Sequence, residues 1–124
     1  MAKKILIADD EPHILYVLKL KLSNAGYEVV TAMDGEEALE LCQSEHPDLV
    51  ITDYEMPIMT GLEMARKLHA DEQFKSVPVL MLTARGFDIE AEEMAAAGIA
   101  GVMSKPFGPR EVLGKVRQLL GEAA

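Results

Sequence analysis

The chain has 124 residues, of which 49% are hydrophobic and 27% are charged, a composition typical of one globular domain of common size. Its formal net charge of −9 disfavours direct binding to nucleic-acid phosphates or to anionic lipid surfaces. Because it lacks an apolar stretch that could span a bilayer, a secretory signal and a disulfide partner for its one cysteine, the sequence predicts a single cytoplasmic domain over residues 1–124.

Short runs of β-branched and other apolar residues alternate with amphipathic segments, the pattern of strands alternating with helices. The first predicted helix follows Pro12 and ends near Gly26. Later helices are predicted to begin at Asp34, Thr60 and Pro109, because Asp and Thr cap free amides and proline suits a first helical position. The fourth helix, at about 89–97, has the weakest periodicity. The predicted strands are Lys4–Ala8, Glu28–Ala32, 48–52, 78–83 and Ile99–Ser104.

Alternating strands and helices build βαβ units, which give a parallel sheet with helices on both faces. The predicted fold class is therefore α/β, doubly wound. In such a sheet the carboxyl ends of the strands lie along one edge, where ligands bind. The residues predicted at this edge are Asp9, Asp10 and Glu11 after the first strand, Asp53 after the third, Thr83 and Ala84 at the fourth, and Lys105 at the fifth.

The side chains at this predicted edge suit phosphoryl transfer. Clustered carboxylates are unfavourable unless a cation neutralises them, and a small set of oxygen ligands suits Mg²⁺. A metal between Asp10 and Asp53 could also bind a phosphoryl oxygen, while Lys105 and Thr83 offer an ammonium and a hydroxyl to the other oxygens. An aspartate can itself be the nucleophile and form an acyl phosphate.

Each of these residues also has a simpler interpretation. An acidic residue after a strand often caps the next helix, a lone aspartate often belongs to a turn, and a lysine before proline is usually solvated. The functional interpretation is favoured because four strand ends carry such residues at once. A zinc site is disfavoured, since His13, His46, His69 and Cys42 lack the spacing of metal ligands. Nucleotide and esterase sites are disfavoured, since the sequence has neither a glycine-rich phosphate loop nor a Gly-x-Ser-x-Gly motif.

Four segments resemble the receiver domains of two-component response regulators, chemotaxis regulators among them. They are Ile5-Leu6-Ile7-Ala8-Asp9-Asp10-Glu11, Ile51-Thr52-Asp53-Tyr54-Glu55-Met56-Pro57, Leu82-Thr83-Ala84 and Lys105-Pro106-Phe107. Their order and spacing match the family over essentially the whole chain. The resemblance implies a flavodoxin-like fold, with parallel strands in the order 2-1-3-4-5, and a signalling switch that is not a conventional enzyme.

The resemblance also implies roles for individual residues. Asp53 would accept a phosphoryl group from a histidine kinase or a histidine phosphotransfer protein, and only there would the domain catalyse its own phosphorylation and dephosphorylation. Lys105, Thr83 and the backbone amide of Ala84 would contact the phosphoryl oxygens. The implied ligands of Mg²⁺ are Asp10, Asp53, the backbone carbonyl of Glu55 and, through water, Asp9. The resulting conformational change would alter contacts with a downstream protein.

Two other functions fit parts of the pattern. A pseudo-receiver would bind partners without phosphorylation, but the complete set of acidic residues, threonine and lysine disfavours it. A phosphohydrolase of the haloacid dehalogenase type would also use an aspartyl phosphate. Such enzymes carry Asp-x-Asp at the nucleophile, whereas this chain has Asp53-Tyr54-Glu55.

Three further expectations concern single positions. The Lys105–Pro106 bond is predicted to be cis, which would aim the ammonium into the acidic site. Tyr16 and Leu20 are predicted to form a kinase-docking patch, with coverage by the last helix as the alternative. Val102 stands where receivers often have an aromatic residue, so displacement of Thr83 is expected to be taken up by residues 84–98 instead.

Overall fold

The structure is a computed structural model that describes residues 2–84 and 89–122. Residues 85–88, part of the segment expected to take up the displacement of Thr83, lie outside the described residues. The strands are β1 (Lys4–Ala8), β2 (Glu28–Ala32), β3 (Leu49–Asp53), β4 (Val79–Thr83) and β5 (Ile99–Ser104). The helices are α1 (Pro12–Asn24), α2 (Gly35–Glu45), α3 (Gly61–His69), α4 (Ala91–Ala96) and α5 (Pro109–Leu119), with a 3₁₀ turn at Glu72–Phe74.

Local signals in the sequence set the ends of these helices. Proline is the first residue of both α1 and α5, at Pro12 and Pro109. The Asp34 side chain accepts a hydrogen bond from a first-turn amide of α2. Thr60 and Glu63 form a reciprocal capping box at the start of α3. The predicted starts of these four helices are therefore confirmed.

All strands are parallel and lie in the order β2-β1-β3-β4-β5, as predicted. β3 begins and ends one residue later than expected, so that Asp53 is the last residue of the strand. The reason is that the ladder to β4 continues: Asp53 lies opposite Leu82, and the Tyr54 amide donates to the Leu82 carbonyl at 2.9 Å. The switch point of strand order falls between β1 and β3.

Both faces of the sheet are covered, because alternate residues of β1 enter two separate cores. Ile5 and Ile7 pack on the side of α1 and α5, and Leu6 and Ala8 pack on the side of α2 and α3. Cys42 belongs to the second core, where burial raises the pKa of its thiol to about 11. This agrees with the expectation for a strand buried on both faces.

One helix and several apolar side chains are exposed in the structure. α4 is shorter than expected and has no fully buried residue. Val102 lies on the edge strand β5 and is 40% exposed. Tyr16 and Leu20 are 68% and 50% exposed, so the interpretation that the last helix covers them is wrong. No helix in the described ranges has both the length and the apolarity needed to cross a membrane.

Candidate functional site

Acidic residues from β1 and β3 meet at the carboxyl edge of the sheet. The parallel register sets Ala8 of β1 opposite Thr52 of β3, so the residues that follow, Asp9 and Asp53, are brought together. Asp9 and Asp53 are buried, whereas Asp10 is exposed. One carboxylate oxygen from each of these three aspartates lies within 4.8 Å of the other two. A cation whose ligands lie at about 2.1–2.5 Å can bridge oxygens about 4–5 Å apart.

Lys105 faces this carboxylate cluster. Its Nζ lies 3.2 Å from Asp53 Oδ1, 3.3 Å from Glu11 Oε1 and 3.5 Å from Asp9 Oδ2. The Lys105 side chain is only 16% exposed, so the interpretation of a simple solvated lysine is wrong. Its backbone amide donates to the carbonyl of Thr83 at 2.9 Å, which joins the ends of β4 and β5.

The electrostatics of the site favour an added cation. Burial raises the pKa of Asp53 to about 6, and repulsion from Asp9 adds to the effect. Burial likewise raises the pKa of Asp9. Burial alone would lower the pKa of Lys105, but attraction to Asp9 and Asp53 outweighs it, and the pKa is raised. Within the described part of the chain, one ammonium therefore faces more negative charge than it can balance, and these residues fit a divalent cation.

A cleft of about 270 Å³ opens over these groups. Since a liquid water occupies about 30 Å³, the cleft has room for a hydrated cation beside a phosphoryl group. Thr83 is buried at the end of β4, directly before Ala84. The Lys105–Pro106 bond at the other side is cis, which confirms the prediction. The cleft is lined by Asp10, Glu11, Asp53, Glu55, Ala84 and Lys105.

The main chain at Asp53 is held by contacts that sequence reasoning missed. The Thr52 hydroxyl donates to the Asp53 carbonyl oxygen at 3.0 Å, and the Gly61 amide donates to the Tyr54 carbonyl at 2.8 Å. A Cβ on Gly61 would lie 2.2 Å from the Asp53 carbonyl oxygen, so only glycine fits there. The glycine itself was the only signal in the sequence, because the close contact between Gly61 and the Asp53 carbonyl forms only once α3 docks against β3.

Glu11 is a second residue that sequence reasoning left without a role. It is the N-cap residue of α1, so the interpretation that Asp9 or Asp10 takes that position is wrong. The Glu11 side chain makes no capping bond and pairs with Lys105 instead. Its backbone amide donates to Asp9 Oδ1 at 2.9 Å. The sequence signal for Glu11 was that it is the third acidic residue in a row after β1.

Comparison with known proteins agrees with this geometry. The response regulator receiver domain family matches residues 5–117. A curated relative, the alkaline phosphatase synthesis transcriptional regulatory protein PhoP of Bacillus subtilis, is 41% identical over 120 residues, covering 97% of this chain and 49% of that protein. The chain thus spans about half the length of the curated relatives it matches.

Solved structures show the same likeness. The chemotaxis response regulator CheY4 of Vibrio cholerae has a TM-score of 0.90 to this chain at 37% identity, covering 96% of this chain and 99% of that one. The response regulator TrrA of Thermotoga maritima, in complex with Mg²⁺ and BeF, has a TM-score of 0.83 at 38% identity, covering 94% and 98%. By sequence and by fold, the chain belongs to the response regulator receiver domain family of two-component signalling systems.

Proposed function

We propose that residues 1–124 form one receiver domain in which Asp53 accepts a phosphoryl group from a histidine kinase or a histidine phosphotransfer protein. The observation that carries the proposal is the position of Asp53: a buried carboxylate, 3.2 Å from the Lys105 ammonium and within cation-bridging distance of Asp9 and Asp10. Family membership supports the same reaction. The domain acts as a switch, and the only reactions it catalyses are its own phosphorylation and dephosphorylation at Asp53.

In the proposed reaction an Asp53 oxygen attacks the phosphorus of a phosphohistidine. The new O–P bond forms as the P–N bond breaks, and the imidazole leaves with the bonding electrons and takes up a proton, so that an acyl phosphate remains on Asp53. The Lys105 ammonium, the Thr83 hydroxyl and the Ala84 amide bind the phosphoryl oxygens. These groups stabilise the negative charge on those oxygens in the transition state.

The proposed metal is Mg²⁺, for which TrrA, solved with Mg²⁺ and BeF, provides support. When bound, the cation neutralises charge between the carboxylates and the incoming phosphoryl group. The residues that would hold it are Asp10, Asp53, the backbone carbonyl of Glu55 and, through water, Asp9. Asp9 and Asp10 carry the remaining carboxylates of the three-aspartate cluster.

Labelling with radioactive acetyl phosphate tests the proposal. The wild-type protein should acquire acid-labile label when Mg²⁺ is present, and Asp53→Asn should acquire none, because an amide is not a comparable nucleophile. Glu36→Gln, which removes an exposed carboxylate from α2, is the control and should label normally. Undiminished label on Asp53→Asn would contradict the assignment of Asp53 as the nucleophile. Equal label on the wild-type protein in excess chelator would contradict the requirement for a metal.

Acetyl phosphate labelling and a phosphatase assay together separate the alternatives. A pseudo-receiver would take no label even as wild type. A phosphohydrolase would turn over a generic ester such as p-nitrophenyl phosphate many times, whereas a receiver domain should not.

We further propose that α1 contacts the phosphodonor protein through Tyr16 and Leu20. Tyr16 and Leu20 are exposed on α1, and other residues of the same helix line a groove of about 540 Å³. This groove reaches the phosphoryl site, since Glu11 and Lys105 also line it. The apolar lining is Ile14, Val17, Leu18, Pro106, Phe107 and Pro109. Exposed apolar surface of this kind is typical of protein contacts.

Substituting the patch should separate donor docking from chemistry. Tyr16→Ser and Leu20→Ser should slow phosphoryl transfer from the kinase but leave labelling by acetyl phosphate unchanged. Met33→Ser, which removes an exposed apolar side chain elsewhere, is the matched control. Equal slowing with both donors would mean that the patch acts on the site itself and not on docking.

The output is proposed to be a protein contact. The net charge of −9 disfavours direct contact with nucleic acid by this part of the protein. Displacement of Thr83 toward the phosphoryl group is proposed to reach residues 89–98, since α4 has no fully buried residue to hold it. Amide exchange with and without beryllofluoride would test this: changes confined to α1 and α2 would contradict the route.

A further inference from the structure

We infer that Glu11 is a positioning residue for Lys105: it holds the ammonium at the mouth of the cleft when a divalent cation occupies the buried carboxylates. The inference rests on the proposed function, because it concerns the same cation and phosphoryl site. It assigns a task to Glu11, whose carboxylate pairs with Lys105 but does not belong to the cluster of Asp9, Asp10 and Asp53.

The backbone of Glu11 is fixed on both sides. Its amide donates to Asp9 Oδ1 at 2.9 Å, and its carbonyl accepts from the amides of Ile14 and Leu15 at 3.1 and 3.2 Å as α1 begins. The side chain is not used as a helix cap. A rigid main chain therefore presents a carboxylate whose Oε1 lies 3.3 Å from Lys105 Nζ.

Among the described residues, the three carboxylates that pair with Lys105 differ in environment. Asp9 and Asp53 are buried, whereas the Glu11 side chain is 59% exposed. Without a cation, the buried carboxylates attract the ammonium more strongly, because water screens them less. A divalent cation held at the cluster of Asp9, Asp10 and Asp53 would offset that attraction and repel the ammonium. Glu11 would then be the partner that Lys105 retains.

This exchange matters because lysine is a point charge on a flexible four-carbon stem. Without Glu11, a displaced ammonium would move into solvent, and ordering it again around a phosphoryl group would cost conformational entropy. With Glu11, the ammonium leaves Asp53 by a short movement and stays beside the cleft. Glu11 should therefore assist cation binding and donor binding, in both cases through Lys105.

Mg²⁺ titrations followed by amide NMR shifts around the cleft test this without relying on activity. Glu11→Gln removes the charge, and Glu11→Asp keeps the charge but shortens the reach. Both should weaken Mg²⁺ binding about two- to fivefold, the effect typical of one partly exposed ion pair. In a Lys105→Met background the same Glu11 substitutions should change the Mg²⁺ affinity by less than about 1.5-fold, because the ion pair between Glu11 and Lys105 is already absent.

The outcomes separate the possible causes. Glu36→Gln should bind Mg²⁺ as wild type does, which controls for net charge. If Glu11→Asp also binds like wild type, or if Glu11→Gln weakens binding equally in both backgrounds, Glu11 acts as bulk charge and the inference is overturned. If the wild-type protein binds Mg²⁺ and every Glu11 variant binds it with the same affinity, the inference is overturned but the proposed function is not. Absence of Mg²⁺ binding by the wild-type protein would overturn the proposed function and the inference with it.

Discussion

At the scale of single residues, the Asp53 carboxylate lowers stability when no metal is bound. Its pKa is raised from 3.8 to about 6, mainly by burial and then by Asp9, so the charged form is less favourable in the folded state. We expect Asp53→Asn to be more stable than wild type at pH 7 in chelator, by about 1–3 kcal/mol. Urea unfolding measures this. Glu36→Gln should change the free energy of unfolding little, and destabilisation by Asp53→Asn would contradict the prediction.

The same carboxylates set a pH dependence. Because the pKa of Asp53 is raised on folding, and that of Asp9 shifts in the same direction, the folded protein binds more protons than the unfolded chain between the two Asp53 values. The contribution of Asp53 to the free energy of unfolding therefore falls as pH rises from 3.8 to about 6, and it levels off above that. Metal-free wild-type protein should show this fall relative to Asp53→Asn when unfolded at a series of pH values. If the difference in free energy of unfolding between Asp53→Asn and wild type narrows as pH rises, the predicted sign of the pH dependence is wrong.

At the scale of elements, the start of α3 positions Asp53 through Gly61. A Cβ there would meet the Asp53 carbonyl oxygen at 2.2 Å, which backbone shifts must relieve. We expect Gly61→Ala to lose about 1–3 kcal/mol of stability, as overpacking generally does. It should also weaken Mg²⁺ binding, because the displaced backbone carries the nucleophile.

A matched glycine in α5 gives the control. A Cβ on Gly114 would have no atom within 4 Å, and Gly114 lies inside a helix. Gly114→Ala should therefore gain about 0.5–1 kcal/mol from helix propensity alone. Opposite signs for the two substitutions in urea unfolding would confirm that the close approach, and not glycine flexibility, explains Gly61. Equal effects would contradict it.

At the scale of the whole molecule, a cation that binds only the folded chain must stabilise all of it. Two cores share one sheet, and the carboxylate cluster lies at the edge of that sheet. Mg²⁺ at about 100 times its dissociation constant should add about 2.7 kcal/mol to the free energy of unfolding. Thermal melts should show a rise in Tm for wild type and a smaller rise for Asp10→Asn. An equal rise with NaCl at matched ionic strength would indicate screening instead of site binding.

The sequence by itself determined the fold class, the strand order implied by the family resemblance, the helix caps and the residues gathered at the carboxyl edge. These follow from local information: apolar periodicity, proline and capping residues, and short motifs after each strand. The family assignment also came from such motifs, and both sequence and structure comparisons agree with it. Even the bounds of β1, β2 and β5 match residue for residue.

Only the tertiary structure decided how close the distant parts of the chain come. Glu11 and Lys105 are 94 positions apart, so no local pattern could show that their charged atoms lie 3.3 Å from each other. The raised pKa of Asp53, the tight fit of Gly61 and the exposure of Tyr16 likewise depend on what packs against each residue. Periodicity predicts which face of an element is apolar, whereas distances, burial and charge balance arise only when the elements dock.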